Sequence, residues 1–96
     1  MIIWTETALL SYQVLMNFVI ENWGTKIAIR FEKQVNDLLA KMKIHKKMCP
    51  ASNIDKNLRK CLVNKHVSLV YELKSNDITV IALYDNRSDS IYSDFF

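Results

Sequence analysis

The 96-residue sequence is poor in the residues that interrupt regular structure, because it contains one glycine and one proline. No segment of low complexity and no internal repeat is visible in the sequence. Gly24 follows the letters ENW, and Pro50 follows KKMC. Glycine is favoured in the left-handed position after a helix, and proline resists helix continuation. Each of these residues therefore predicts the end of a helix.

Cysteines, long apolar runs and an excess of one charge are also scarce. The two cysteines form no CxxC pair, so a disulfide framework is not indicated and reduced thiols are expected. No apolar run approaches the ~18–20 residues that would cross a bilayer. The opening letters MIIWTETA lack the basic and long apolar regions of an export signal. These absences predict a cytoplasmic protein with no membrane partner.

The composition that is present indicates a small folded domain. Half of the residues are apolar and about a quarter are charged, which is too apolar for a disordered chain. We expect residues 1–96 to form a single domain, which at this size buries only about 60–65% of its unfolded surface and gains from a partner. The net charge of +3 permits contact with nucleic acid or an acidic peptide without requiring it. No feature predicts a cofactor or a small-molecule substrate.

The first half of the sequence predicts one strand and two helices. The run MIIW is typical of a short strand, and Thr5 or Thr7 can cap the helix that follows it. That helix has apolar residues on more than one face, so it should be deeply packed or receive a partner. Its second apolar stripe consists of Leu10, Val14 and Phe18. After Gly24, Thr25 can cap a second helix with a clean apolar stripe, and the short turn predicts an antiparallel hairpin.

The second half of the sequence changes to the period-two pattern of strands. In LRKCLVNKHVSLVYEL, the pattern puts Val67, Leu69, Tyr71 and Leu73 against the helices. The letters SND predict a hairpin turn, ITVIALY a further strand, and DNRSDS the turn that ends it. The order predicts an α+β fold of two layers, βααβββ, with a three-stranded antiparallel meander and both helices on one face of the sheet. The other face should be open, with Arg59, Cys61, Val63, Ser68 and Val70 on it.

Several residue groups have both a functional and a structural interpretation. His45, Cys49, Cys61 and His66 have the composition of a zinc site, but their spacing is irregular and a structural role is favoured. A nucleophilic cysteine is disfavoured because neighbouring strand residues point to opposite faces. The lysines between Lys41 and Lys47 suit the negative end of a helix dipole, with contact to nucleic acid or an acidic partner as the alternative.

The order of elements and four motifs resemble the RelE/ParE family of type II toxin–antitoxin toxins. The motifs are WTETA at the first strand, ENWG at the helical turn, LRKCLVNKHVSLVYEL at the central hairpin, and VIALYDNRSD at the last strand and its arginine-bearing turn. They follow one another at matching separations across nearly the whole chain. The resemblance implies a bacterial toxin that a small antitoxin neutralises. RelE-like members cleave mRNA on the ribosome, whereas ParE-like members poison DNA gyrase.

The resemblance also implies which residues a nuclease would use. Arg59 matches the first basic strand position, Arg87 the arginine near the C-terminus, and Tyr92 the tyrosine that follows it. Cys61 and Ser68 stand where the family's nucleases have cations. Because loss of one preorganised donor typically costs roughly 3–4 kcal/mol of transition-state stabilisation, two losses favour the ParE-like activity.

The leading prediction is therefore a ParE-like toxin that inhibits growth by binding a macromolecular target such as DNA gyrase. A ribosome-dependent mRNA endonuclease that uses Arg59, Arg87 and Tyr92 is the alternative, and an inactive relative that retains only antitoxin binding is a third. Val63, Ser68, Val70 and Arg87, together with the apolar first helix, are the candidate partner contacts.

Overall fold

The computed structural model describes residues 1–88 and 90–96, and its elements follow the predicted order. Asp89, which the sequence places in the turn DNRSDS, lies outside the described residues. The elements are β1 (Ile2–Trp4), α1 (Glu6–Trp23), α2 (Thr25–Ile44), β2 (Leu58–Leu62), β3 (Val67–Lys74), β4 (Asp77–Asp85) and a 3₁₀ turn (Ser93–Phe95). Neither α1 nor α2, the two α-helices of the described residues, has the length and hydrophobicity to cross a membrane.

The four strands form one mixed sheet in the order β1-β4-β3-β2. β2, β3 and β4 make an antiparallel meander, and β1 joins its edge by pairing in parallel with β4, with Ile2 opposite Ile78. Apolar side chains of α1, α2 and one side of the sheet form the core. Its central members include Ala8, Phe31, Val35, Met42, Leu69, Tyr71, Ile78 and Val80. The predicted α+β class, with both helices on one side, is confirmed.

Threonine and glycine fix the two helix starts. The Thr5 hydroxyl accepts a hydrogen bond from the Ala8 N–H at 3.0 Å, which caps α1. The same hydroxyl donates to the Ile81 carbonyl at 3.0 Å, so the cap also ties α1 to β4. Gly24 ends α1 at φ +89, a left-handed value that favours glycine. The expectation that Thr25 caps α2 is wrong, because Thr25 is already helical and Gly24 occupies the cap position.

The turn between β3 and β4 forms where SND predicts it. Ser75 and Asn76 have φ values of 50° and 68°. Two consecutive positive φ values match the hairpin turn whose twist suits the flanking strands, and asparagine tolerates that conformation well. The turn brings Asp77 opposite Lys74 and sets the register of the hairpin, which a bulge at Val70 and Tyr71 then shifts.

The sequence pattern assigned the wrong residues to the open face of the sheet. Cys61 lies opposite Leu69 and Arg59 opposite Tyr71, so both residues share the helix-facing side of the sheet. Ser68 and Val70 lie on the other side, here called the outer side, but both are 0% exposed.

The C-terminal segment lies against this outer side of the sheet. The Lys60 ammonium sits 5.4 Å from the centre of the Phe96 ring. The Ser52 hydroxyl donates to the Phe95 carbonyl at 2.6 Å. Since Lys60 is opposite Val70 in the sheet, this segment occupies the outer side that the sequence predicted to be free.

The expectation of reduced thiols is also wrong for this structure, because Cys49 and Cys61 form a disulfide. Cys49 lies in the connection between α2 and β2, and Cys61 is buried in β2. Both sulfur atoms are therefore engaged with each other and are not available as zinc ligands or nucleophiles. The bond fastens the α2–β2 connection to the helix-facing side of the sheet.

Candidate functional site

An apolar stripe on the outer surface of α1 is left uncovered by the fold. The helix packs Tyr12, Leu15, Met16 and Val19 against the core. Its second stripe stays exposed, with Leu10 at 57%, Val14 at 67% and Phe18 at 45%. Trp23, at the end of the helix, is 63% exposed. Contiguous exposed apolar surface on a small protein marks an interaction site. We call the surface formed by Leu10, Val14, Phe18 and Trp23 the α1 stripe.

The α1 stripe leads into a cleft of about 400 Å³ between the helical hairpin and one end of the sheet. Apolar residues of the two helices form much of its wall, including Phe18, Trp23, Ile27 and Phe31. Its polar lining residues are Arg30, Gln34, Asn64, Lys65, His66, Asp85 and Arg87. The cleft therefore combines aromatic and aliphatic surface with basic groups.

Hydrogen bonds hold the β2–β3 loop at the edge of this cleft. The Asn64 amide donates to the Gln34 side chain of α2 at 3.0 Å, and its oxygen accepts from the His66 N–H at 2.8 Å. The Asn86 N–H donates to the His66 carbonyl at 2.7 Å. Lys65 and His66 are thus presented by a loop that is anchored on both sides, to the helix and to the turn after β4.

Arg87 lines the cleft but is engaged with a neighbouring carboxylate. Its Nε and Nη2 atoms donate to the two oxygens of Asp85 at 3.1 Å and 2.8 Å. Hydrogen bonding from the Arg87 side chain lowers the pKa of Asp85 to about 2. Arg87 therefore lies at the surface, where Asp85 partly neutralises its charge.

Arg59 binds the connection that follows α2. Its Nη1 donates to the Cys49 carbonyl at 2.6 Å and to the Lys47 carbonyl at 3.3 Å. The Tyr71 hydroxyl donates to the Lys46 carbonyl at 2.7 Å beside it, and burial raises the pKa of Tyr71. Two side chains of the sheet thus bind three carbonyl groups of the same short connection, which gives Arg59 a structural role in this conformation.

The three residues of the nuclease alternative do not lie side by side along the sheet. Arg59 is opposite Tyr71, whereas Asp85, at the end of the strand before Arg87, is opposite Val67. Tyr71 and Val67 are four positions apart, which is about 13 Å along a strand. Tyr92 lies in the C-terminal segment, with its ring 5.9 Å from that of Phe95.

The remaining predicted contact residues differ in their access to solvent. Val63 is half-buried and packs against the core. Ser68 is fully buried and hydrogen-bonded to the Asn86 side chain at 2.5 Å, and Val70 is fully buried. Neither Ser68 nor Val70 offers exposed surface to a partner in this conformation. Among the predicted partner residues, Arg87 is the exposed one.

The sequence pointed to α1 and Arg87 as partner contacts but not to Arg30, Gln34 and Asn64 of the cleft lining. Arg30 is one of several polar residues on α2, and Asn64 and Gln34 carry no motif. A hydrogen bond joins Asn64 to Gln34 across 30 residues of sequence. Only the fold reveals this contact.

The fold and this surface together define a small α+β domain with an unpartnered helix beside a basic cleft. No protein-family model matches the sequence, and no curated protein sequence matches it. The structure is similar to a solved chain described as the chromosomal ParDE toxin–antitoxin system from P. aeruginosa. The TM-score is 0.71 with 10% sequence identity, over 88% of this chain and 92% of that chain. The resemblance to RelE/ParE toxins is thereby confirmed at the level of the fold.

Proposed function

We propose that this protein is the toxin of a type II toxin–antitoxin module, that it acts in the cytoplasm, and that a cognate antitoxin neutralises it. The observation that carries the proposal is the fold it shares, over most of its length, with a chain of a ParDE toxin–antitoxin system. The toxin acts in the ParE-like manner, by binding a macromolecular target, for which DNA gyrase is the first candidate.

The contacts made by the residues that a nuclease would use favour binding of a macromolecular target over RNA cleavage. A nuclease of this type needs cations that converge on one strained phosphate. Arg59 instead binds backbone carbonyls, and Asp85 binds Arg87. Cys61 and Ser68, which stand where nucleases of the family have cations, are buried and uncharged. The mRNA endonuclease remains the alternative, and an inactive relative is the third outcome to test.

The α1 stripe and its cleft are the proposed antitoxin surface. An amphipathic helix can lay its apolar side chains along Leu10, Val14 and Phe18, which repeat at helical spacing and span about 12 Å of α1. Acidic residues at one end of that helix would face Arg30 and Lys65, for which the described residues contain no ion pair. Val63 and Arg87 would extend the contact, whereas Ser68 and Val70 offer no exposed surface to it in this conformation.

Induced expression without the antitoxin tests the toxin function. We expect growth arrest, inhibited DNA supercoiling by purified gyrase, and intact cellular mRNA by primer extension. Val35→Asp is the unfolded control, because it places a charge at a core position that is 1% exposed. It tests whether growth arrest requires folded protein. If codon-phased mRNA cuts appear and Arg87→Ala abolishes them, the nuclease alternative is correct and gyrase binding is not the activity. Normal growth with folded, soluble protein would identify the inactive relative.

Two exposed positions on the helical hairpin test the antitoxin surface. Val14→Glu adds a charge on the α1 stripe, and Ile29→Glu adds one on α2 at a similar exposure of 63%, outside the cleft lining. Coexpression of the cognate antitoxin should rescue growth from the Ile29→Glu toxin but not from Val14→Glu. Equal rescue of both variants would exclude the α1 stripe while leaving the toxin function intact.

A further inference from the structure

The connection between α2 and β2 is held by one covalent bond and a small set of hydrogen bonds. Residues 45–50 join the end of α2 to the region before β2 without forming a helix or strand. The Cys49–Cys61 disulfide attaches this connection to β2. Three hydrogen bonds from Arg59 and Tyr71 to its carbonyl groups add to that attachment. We call residues Lys46–Cys49 the latch segment.

The two cysteines of the disulfide differ in their exposure to solvent. Cys61 is only 2% exposed, whereas Cys49 is half-buried and lies in an irregular segment. Thiol–disulfide exchange depends on access to the attacked sulfur. A dithiol can therefore attack the Cys49 sulfur and release the Cys61 thiol, and its second thiol then completes the exchange.

The closed latch segment also leaves one polar group unsatisfied. The Arg59 Nε–H is buried and is the one side-chain nitrogen or oxygen of the described residues found buried without a hydrogen-bond partner. An unsatisfied buried donor disfavours the state that contains it. Opening of the latch segment would give this group access to water. The covalent bond therefore holds closed an arrangement that is imperfectly satisfied by hydrogen bonds alone.

We propose that Cys49–Cys61 is a reversible redox latch that controls the accessibility of Arg59. In the oxidised protein, the latch segment covers the Arg59 guanidinium with the carbonyls of Lys47 and Cys49. Reduction by a dithiol transfers two electrons and two protons to the cysteines, and the dithiol becomes a disulfide. The latch segment then opens and exposes a cation on the helix-facing side of β2. This regulation does not depend on which target the protein binds. It fits a reducing compartment, where disulfides are mostly transient or redox-sensing.

Limited trypsin digestion measures opening of the latch segment directly. The segment contains two cleavage sites, Lys46 and Lys47, and the exposed Lys74 beside the β3–β4 turn is an internal control. The Cys49–Cys61 bond closes a loop with a sequence separation of 12. Closing a loop of this length shifts the equilibrium between the closed and open forms by about two powers of ten. We expect reductant to raise cleavage after Lys46 and Lys47 at least tenfold and to leave cleavage after Lys74 within about twofold, because proteolysis follows the population of the open form.

Phenylglyoxal labelling gives a second readout that reports on Arg59 itself. Mapping by mass spectrometry should show faster labelling of Arg59 after reduction, with Arg30, which is exposed in the closed state, as the control. The double variant Cys49→Ser/Cys61→Ala should behave as the reduced protein in both buffers, with circular dichroism confirming that it is folded.

Three results would overturn the redox latch. The first is a count of two free thiols in the folded protein before any reductant is added. The second is full reduction without a change in cleavage at the latch segment or in labelling of Arg59. The third is an equal rise in cleavage after Lys74, which would mean that reduction unfolds the whole domain.

Discussion

The hydroxyl of Thr5 connects α1 with β4, so its removal should have a measurable effect on stability. It accepts from Ala8 N–H at the start of α1 and donates to the Ile81 carbonyl of β4. The backbone N–H of the same residue donates to the Val80 carbonyl at 3.1 Å. Thr5→Ala removes both side-chain bonds and keeps the backbone one, so it isolates what the hydroxyl contributes.

The expected loss follows from those two hydrogen bonds. Each contributes about 1 kcal/mol net, and the loss of an N-cap threonine alone typically costs about 1 kcal/mol. Thr5→Ala should therefore lower the free energy of unfolding by about 2 kcal/mol. With a urea m-value of about 1–2 kcal/mol/M for a domain of this size, the midpoint of unfolding falls by about 1–2 M.

Urea titration followed by far-UV circular dichroism measures this loss, and Thr5→Ser is the matched control. Serine keeps the hydroxyl and is at least as good a cap as threonine, so its loss should be below about 0.5 kcal/mol. A Thr5→Ala variant within about 0.5 kcal/mol of the parent protein would refute the assigned contribution. Equal losses for alanine and serine would show that packing of the methyl group matters and the hydroxyl does not.

Three further substitutions test other parts of the structure by urea unfolding. Gly24→Ala should cost about 1 kcal/mol, because it forces a left-handed φ on alanine while its Cβ meets nothing within 4 Å; an unchanged midpoint would argue against φ +89. Asp85→Asn should lower stability at pH 7 by at most about 1 kcal/mol, since the ion pair with Arg87 is solvent-screened. Because the pKa of Asp85 is lowered from 3.8 to about 2, its stabilisation is complete above pH 3.8 and lost as the pH falls through about 2; a difference that persists below pH 2 would contradict this origin. Tyr71→Phe should cost about 1–2 kcal/mol, because the Lys46 carbonyl loses its 2.7 Å donor; a neutral result would mean that water replaces the hydroxyl.

Local signals in the sequence predicted the order and most ends of the elements. Thr5, Gly24 and the pair Ser75–Asn76 each act within a few residues of their own position, so their effect is readable without the fold. The second apolar stripe of α1 was equally readable, because helical spacing alone shows that one core cannot cover both stripes.

The faces of β2 could not be read in the same way. The strand is only five residues long, and its side chains alternate, so a register shift of one residue moves Cys61 from one side of the sheet to the other. The loop between β2 and β3 sets that register by placing Cys61 opposite Leu69, and its length was ambiguous in the sequence. The disulfide to Cys49 was not predicted, because two cysteines without a CxxC pair do not indicate a disulfide framework. Only the fold shows that Cys61 occupies the face that Cys49 reaches.

The parallel pairing of β1 with β4 has a consequence for synthesis of the chain. Ile2 is made well before its partner Ile78, which lies 76 residues later in the sequence. At about 5–20 residues per second, the ribosome needs roughly 4–15 s to make the strand that β1 requires. Throughout that time the helical hairpin lacks the sheet that covers its core-facing side. A nascent chain therefore cannot complete the sheet before β4 has emerged, and such non-local pairing is intrinsically slow. Any function that needs the complete sheet is therefore delayed until β4 has been made, because β4 pairs with both β1 and β3.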